Sequence, residues 1–274
     1  MTRPVAFVTG ASRGIGKACA ISLAGAGYDV AISARTVREG EGRADTLDGR
    51  SGRALSGSLE TTAEAVEAAG GRALAVPMDL LDRESLPAAA DEVFAEFGRI
   101  DLLLNNAIYQ GPGTLSRFLD TPDDELQRLL DANVMSQLVL IRHVLPRMLE
   151  QGGGTIMNMS SGTSFLDPWA PAGEGGWGLG YAASKAALNR VVPILAVEHP
   201  DSGVLLYTLE PGYVLTERAR EDSGGVFDEF GGATPELVAA AVTWLATDPA
   251  ATRFHGRMVH LQELAKKQGL SAAT

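Results

Sequence analysis

The chain has 274 residues, of which 45% are hydrophobic and 21% charged, with a formal net charge of -11. That is an ordinary soluble globular composition, long enough to bury an ample core, and its acidity argues against nucleic acid or an anionic membrane surface as a partner. A single cysteine, Cys19, excludes an internal disulfide framework, and no apolar run reaches the length of a membrane span.

Arg3 and Pro4 lead into an apolar run too short for a signal h-region with a cleavage site, so the expected location is the cytoplasm. Val5 to Thr9 reads as a strand buried on both faces. The turn Gly10-Ala11-Ser12-Arg13-Gly14-Ile15-Gly16 follows. A helical pattern then places Ile15, Cys19 and Leu23 on one face and stops at Gly25-Ala26-Gly27. Cys19 in that pattern reads as a core residue. Val30 to Ala34 is a second strand, which completes a βαβ unit.

Residues 36–58 are rich in Gly, Arg, Glu, Asp and Ser, and read as an inserted, partly mobile surface loop. A helix begins near Leu59 and ends at Gly70-Gly71. Ala73 to Val76 is a third strand, Arg83 to Phe97 a helix, and Ile100 to Leu104 a fourth strand before Asn105-Asn106-Ala107. One long helical stretch is expected over Pro122 to Leu149, then a fifth strand at Thr155 to Met159 before Ser160-Ser161. Residues 162–180 read as a loop carrying Trp169 and Trp177. A helix with Tyr181 and Lys185 follows, then a sixth strand at Val204 to Leu209. After Pro211-Gly212 a flexible segment runs through Gly232, Pro235 to Ala246 is helical, and Met258 to Leu261 is a last strand. Such alternation predicts a single-domain α/β fold: a Rossmann-like, doubly wound parallel sheet of about seven strands with helices on both faces. No linker or internal repeat divides it.

The chemistry starts at the first turn. Glycines at 10, 14 and 16 let the backbone bend tightly and approach a pyrophosphate, toward which the next helix aims its free N–H groups. The alternative is a structural turn with no ligand. A P-loop is a near miss, with Lys17 after Gly16, but Ala11 and Ala18 stand where that motif needs glycine and a hydroxyl residue and argue against it. The second strand ends on Ala34-Arg35 rather than on an acid that would hold a ribose 2′-hydroxyl. Arg35 and Arg13 together can bracket a 2′-phosphate, so NADP(H) is expected over NAD(H); the alternative is two surface arginines. Tyr181 and Lys185 are four apart, one helical turn from each other on one face. A neighbouring ammonium lowers a phenol's pKa, and a phenol so tuned exchanges a proton with a carbonyl or alcohol oxygen. By itself that pair is common surface decoration. The histidines at 143, 199, 255 and 260 lack metal-ligand spacing.

Thr9-Gly10-Ala11-Ser12-Arg13-Gly14-Ile15-Gly16, Asn105-Asn106-Ala107, Ser160-Ser161, Tyr181-Ala182-Ala183-Ser184-Lys185 and Pro211-Gly212 occur in an order that resembles the short-chain dehydrogenase/reductase family. The resemblance covers roughly residues 4–260. It implies that Tyr181 is the acid–base group, that Lys185 lowers its pKa and holds the nicotinamide ribose, and that Ser161 binds the substrate oxygen. Asn133 is then the anchor of a proton-relay water; alternatively its side chain simply bonds helix backbone. The resemblance also implies cofactor contacts from Gly10, Ser12, Arg13, Gly14, Ile15 and Gly16. Asp79 and Leu80 would flank adenine, and Asn106 and Ala107 the adenosine ribose. Pro211, Gly212, Val214 and Thr216 would surround the carboxamide. Ser160 is an alternative to Ser161, and Thr216 an alternative helix cap at Glu217.

Three departures bear on the substrate. Ile108 replaces a glycine usual after Asn-Asn-Ala, the stretch from Ser161 to Tyr181 is long, and the tail continues as Glu263-Leu264-Ala265-Lys266-Lys267. The expected pocket walls, 108–118, 162–180 and 213–234, hold Tyr109, Trp169, Trp177, Tyr213, Phe227 and Phe230. They suggest a bulky, mainly apolar carbonyl or alcohol substrate. The expected function is reversible carbonyl–alcohol conversion in a homodimer or homotetramer, with no metal. The rival reading is a non-catalytic dinucleotide sensor on the same fold.

Overall fold

The computed structural model describes residues 2–43, 52, 54–219 and 231–271. Seven parallel strands form one sheet in the order β3-β2-β1-β4-β5-β6-β7. They are β1 (Val5–Thr9), β2 (Asp29–Ala34), β3 (Ala73–Pro77), β4 (Leu102–Asn105), β5 (Gly154–Met159), β6 (Val204–Glu210) and β7 (Arg257–His260). Among the described residues the helices include α1 (Gly14–Gly25), α2 (Leu59–Ala68), α3 (Ser85–Phe97), α4 (Asp123–Leu130), α5 (Ser136–Glu150), α6 (Leu179–Asn189), α7 (Val191–Glu198), α8 (Pro235–Thr247) and α9 (Leu261–Gln268). This is the Rossmann-like doubly wound architecture expected from the alternation.

All five residues of β1 are buried, as a central parallel strand covered on both faces requires. Its side chains divide by the pleat. Ala6 and Val8 join Cys19 and Leu23 of α1 and Val238 of α8 in one core, while Val5 and Phe7 join Leu86 of α3 and Leu140 of α5 in the other. Cys19 is fully buried, and burial pushes its thiol up to about 12, so it packs as a hydrophobe. The order of strands reverses between β1 and β4, and at such a switch point a crevice opens beyond the strands' carboxyl ends.

Several local expectations change. The stretch expected as one helix from Pro122 to Leu149 is α4 and α5 joined by a π-helical turn, Asp131–Met135, which contains Asn133. The Ser136 N–H donates to the Asp131 carbonyl, the i to i+5 bond of the widened turn, and the Ser136 hydroxyl donates to the Leu80 carbonyl at 2.5 Å. Leu261, expected in the last strand, begins α9, and the continuing tail is that helix.

The segment 36–58 is more than a surface loop where it is described. Leu55 is buried, Arg43 and Ala54 form an antiparallel bridge, and Ser58 opens α2 with a capping box to Thr61. The rest of that insertion lies outside the described residues, as do Phe227, Phe230 and residues 220–230 of the 213–234 wall. Among the described residues no helix is long and apolar enough to cross a membrane.

Candidate active site

A cleft of about 710 Å³ opens at the switch point. The glycine turn contributes Gly10, Ser12, Arg13, Gly14, Ile15 and Gly16 to its wall. Arg35 enters from the end of β2, Asp79 and Leu80 follow β3, and Asn106 and Ala107 follow β4. Ser161 comes from the end of β5, Tyr181 and Lys185 from α6, and Pro211, Gly212, Val214 and Thr216 from the segment after β6. Asn133 does not reach the cleft wall; it is 1% exposed and stands behind it.

The glycine turn is built on close approach. A Cβ on Gly16 would fall 2.3 Å from the Gly10 carbonyl oxygen, and Gly10 itself has φ +66°. Asn106 Nδ2 pins the turn by donating to the carbonyls of Thr9 (2.9 Å) and Gly10 (3.2 Å). The first turn of α1 carries no acid and no side-chain cap. Its leading N–H groups and positive dipole end therefore remain suited to an anion. By this test the cradle fits a dinucleotide's phosphates. One carboxylate does approach it: Glu217 Oε2 lies 3.7 Å from where a Cβ on Gly14 would be.

Arg13 is more engaged than its sequence position suggests. Its Nε donates to the Ser56 carbonyl at 2.7 Å, and its Nη2 to the Gly57 carbonyl at 2.9 Å and the Thr36 hydroxyl at 3.4 Å. Burial lowers its pKa, while the carboxylates of Glu217 and Glu39 oppose that shift. The inserted segment thus clasps Arg13, and its Arg43 also lines the cleft.

At the other end, the hydrogen-bond accounting separates the two serines. The Ser160 hydroxyl donates to Asn189 Oδ1 at 2.5 Å and is spent there. Ser161 Oγ accepts from the Thr163 N–H (3.3 Å) and hydroxyl (3.1 Å), which leaves its own proton for the Tyr181 oxygen. Burial raises the Tyr181 pKa, the Ser161 hydrogen bond opposes the rise, and the negative charge of Glu210 adds to it. The net direction is upward, opposite to the lowering expected from Lys185. The ammonium of Lys185 donates instead to the Met159 carbonyl at 2.8 Å, and burial brings its own pKa down to about 8.

Asn133 bonds loop backbone rather than its own helix. Its Oδ1 accepts from the Tyr109 N–H at 2.8 Å and its Nδ2 donates to the Tyr109 carbonyl at 3.0 Å. Thr216 does cap: its Oγ1 accepts from the Ala219 N–H at 3.2 Å. Ile108, Tyr109, Trp169, Trp177 and Tyr213 line the cleft beyond Tyr181, and the two tryptophan rings meet edge to face at 5.1 Å. Glu217, Arg43 and the Glu210–His260 pair were not singled out from the sequence. An acid closing an otherwise apolar strand just before Pro211-Gly212 was the one local signal for Glu210. Among the described residues no group of three or more His, Cys, Asp or Glu side chains could hold a metal ion.

The family model for short chain dehydrogenases matches residues 4–57 and 53–224. A 2-dehydro-3-deoxy-D-gluconate 5-dehydrogenase of Pseudoalteromonas atlantica is 34% identical over 226 residues, covering 80% of this chain and 76% of that protein. A short chain dehydrogenase of Pseudocercospora fijiensis is 32% identical over 219 residues; the match covers 79% of this chain and 62% of that longer protein. Among solved structures, a 3-oxoacyl-[acyl-carrier protein] reductase from Brucella melitensis in complex with NAD superposes with a TM-score of 0.75. It is 26% identical, and the match covers 97% of this chain and 98% of that one. With this match over most of its length, on a sheet of the same architecture, the chain belongs to the short chain dehydrogenase family of oxidoreductases, whose members bind nicotinamide cofactors.

Proposed function

We propose that the chain is an NADP(H)-dependent oxidoreductase that interconverts a carbonyl and a secondary alcohol on a bulky, mainly apolar small molecule. The observation that carries this reading is the Ser161–Tyr181 hydroxyl pair in the cleft. Two hydroxyls so linked can share one substrate oxygen. Tyr181 donates its proton to a carbonyl oxygen in reduction and takes one from an alcohol in oxidation, while Ser161 orients that oxygen. A bound nicotinamide supplies or accepts the hydride. Lys185 holds the ribose beside it and favours the phenolate when the phenol loses its proton. In this reading Asn133, whose side chain bonds the Tyr109 backbone through Oδ1 and Nδ2, anchors a proton-relay water.

Ser12, Ile15 and the three glycines hold the diphosphate, with Asp79 and Leu80 at adenine and Asn106 and Ala107 at its ribose. Pro211, Gly212, Val214 and Thr216 hold the carboxamide. Arg35 and Arg13 together bracket a 2′-phosphate. The aromatic wall of Tyr109, Trp169, Trp177 and Tyr213 supports a bulky apolar substrate. The same reading takes the chain as one domain, acting in the cytoplasm as a homodimer or homotetramer.

The test is cofactor oxidation with a panel of carbonyl compounds, using NADPH and NADH in parallel. Tyr181→Phe is expected to lose turnover by about 100-fold or more, with NADPH binding kept. Full activity in that variant removes Tyr181 from the mechanism, and equal rates with NADH remove the cofactor preference.

A further inference from the structure

The carboxyl ends of β5, β6 and β7 lie side by side and close on Ser160-Ser161, Glu210 and His260. A carboxylate ending a buried strand is costly unless both oxygens find partners. Glu210 is 9% exposed, and both are engaged. Oε1 accepts from the Gly212 N–H at 2.8 Å. Oε2 lies 3.2 Å from Nδ1 of His260, the residue paired with Glu210 in the strand register. Oε1 is also 3.6 Å from where a Cβ on Gly162 would sit, so the carboxylate reaches the turn that carries Ser161. On the far side, the His260 ring meets Phe165 edge to face at 5.8 Å. Gln262 donates to the carbonyls of Pro211 and Tyr213 at 2.8 and 2.9 Å. The Pro211-Gly212 turn is therefore gripped by Glu210 from within and by Gln262 from the edge of the sheet.

We infer that Glu210 is a positioning residue of this site: its carboxylate fastens the Gly212 turn and sets a fixed negative charge beside the Ser161–Tyr181 pair. The charge disfavours the phenolate and so keeps Tyr181 in the form that donates a proton. Burial is the larger cause of that preference, and Glu210 acts in the same direction. His260 faces it from β7. Tyr181 and Lys185 come from α6, with the ammonium turned to the Met159 carbonyl. β5 brings only the hydroxyls of Ser160 and Ser161. The consequence for turnover rests on Tyr181 being the acid–base group, whereas the consequence for ionisation of the phenol does not.

The experiment measures that ionisation directly. Phenolate absorbance of the cofactor-free protein is followed against pH, and the Tyr181→Phe version of each protein is subtracted. Glu210→Gln keeps an oxygen to accept from Gly212 and removes the charge. It is expected to show about threefold or more phenolate at any pH below the midpoint. An unchanged titration overturns the charge effect. Glu210→Asp keeps the charge on a shorter stem. It is expected to titrate like the parent while binding NADPH several-fold more weakly, because the Gly212 turn is less firmly held. An Asp variant that titrates like the Gln variant overturns the charge effect, and one that binds NADPH as tightly as the parent overturns the hold on the turn. If Tyr181→Phe keeps full turnover while Glu210→Gln still shifts the titration, the mechanism proposed above fails and this inference stands.

Discussion

Replacing Gly16 by alanine tests whether the first turn depends on backbone contact. In an ordinary helix the exchange would stabilise the chain by about 1 kcal/mol. Here the new methyl would lie 2.3 Å from the Gly10 oxygen and 2.6 Å from Asn106 Nδ2, against an ordinary contact of 3.4–4 Å. Relief requires a shift of about 1 Å in the turn, and overpacking of that kind costs about 1–3 kcal/mol. Asn106 would also lose its hold on the carbonyls of Thr9 and Gly10, at about 1 kcal/mol for each hydrogen bond. Set against the helical gain, the net loss is about 2–4 kcal/mol. Gly25, in the same helix, is the control: it is exposed and has nothing within 4 Å of its would-be Cβ. Gly25→Ala is expected to be neutral or stabilising by up to about 1 kcal/mol. Urea unfolding of both variants, read by circular dichroism, supplies the comparison. The Gly16 variant should show a lower midpoint at unchanged slope. A Gly16→Ala protein within about 0.5 kcal/mol of the parent would refute the close-approach argument.

Asn133→Ala strands a buried N–H and a buried carbonyl on Tyr109. It should cost about 2–4 kcal/mol in the same unfolding assay, and a loss below about 1 kcal/mol would contradict that. Lys185 has a folded pKa of about 8 against an ordinary 10.5, so its charge opposes folding below pH 8. The Lys185 contribution to stability should then rise with pH from about 8 to about 10.5, where only the unfolded chain keeps that proton, while Cys19, pushed up to about 12, acts in the opposite direction above about pH 9. Lys185→Met should remove that slope and stabilise the cofactor-free chain at neutral pH, and a slope that persists in the variant argues against the assignment. Glu217→Gln removes a carboxylate from the phosphate cradle and should tighten NADPH binding several-fold by calorimetry, most at low salt. Unchanged or weaker binding would mean that the carboxylate does not oppose the phosphates.

Much of the architecture was legible because it depends on near neighbours in the chain. Apolar runs such as Val5–Thr9 mark strands covered on both faces, and a helical period with glycine stops marks the layers between them. The glycine turn, the Tyr181–Lys185 spacing and the Pro211-Gly212 dipeptide are likewise local, and their order along the chain was enough to suggest the family. The paired walls of the cleft could be guessed only as loops. The clasp of Ser56 and Gly57 on Arg13 joins residues more than forty positions apart, and no local pattern encodes it.

The same limit explains the rest of the site. A π turn differs from an α-helix by one residue of hydrogen-bond register, which the apolar pattern from Pro122 to Leu149 does not reveal. The direction of the Tyr181 shift depends on how deeply the phenol is buried and on a carboxylate from another strand, both outcomes of packing. Glu210 meets His260 only because β6 and β7 lie in register at the edge of the sheet. By itself, then, the sequence determined the strands, the glycine turn and the chemical types of the side chains proposed to react, since backbone conformation and chemical type are properties of short stretches. The tertiary structure alone decided which charges face those side chains, because hydrogen bonds and electrostatic fields act across space between residues the chain holds far apart.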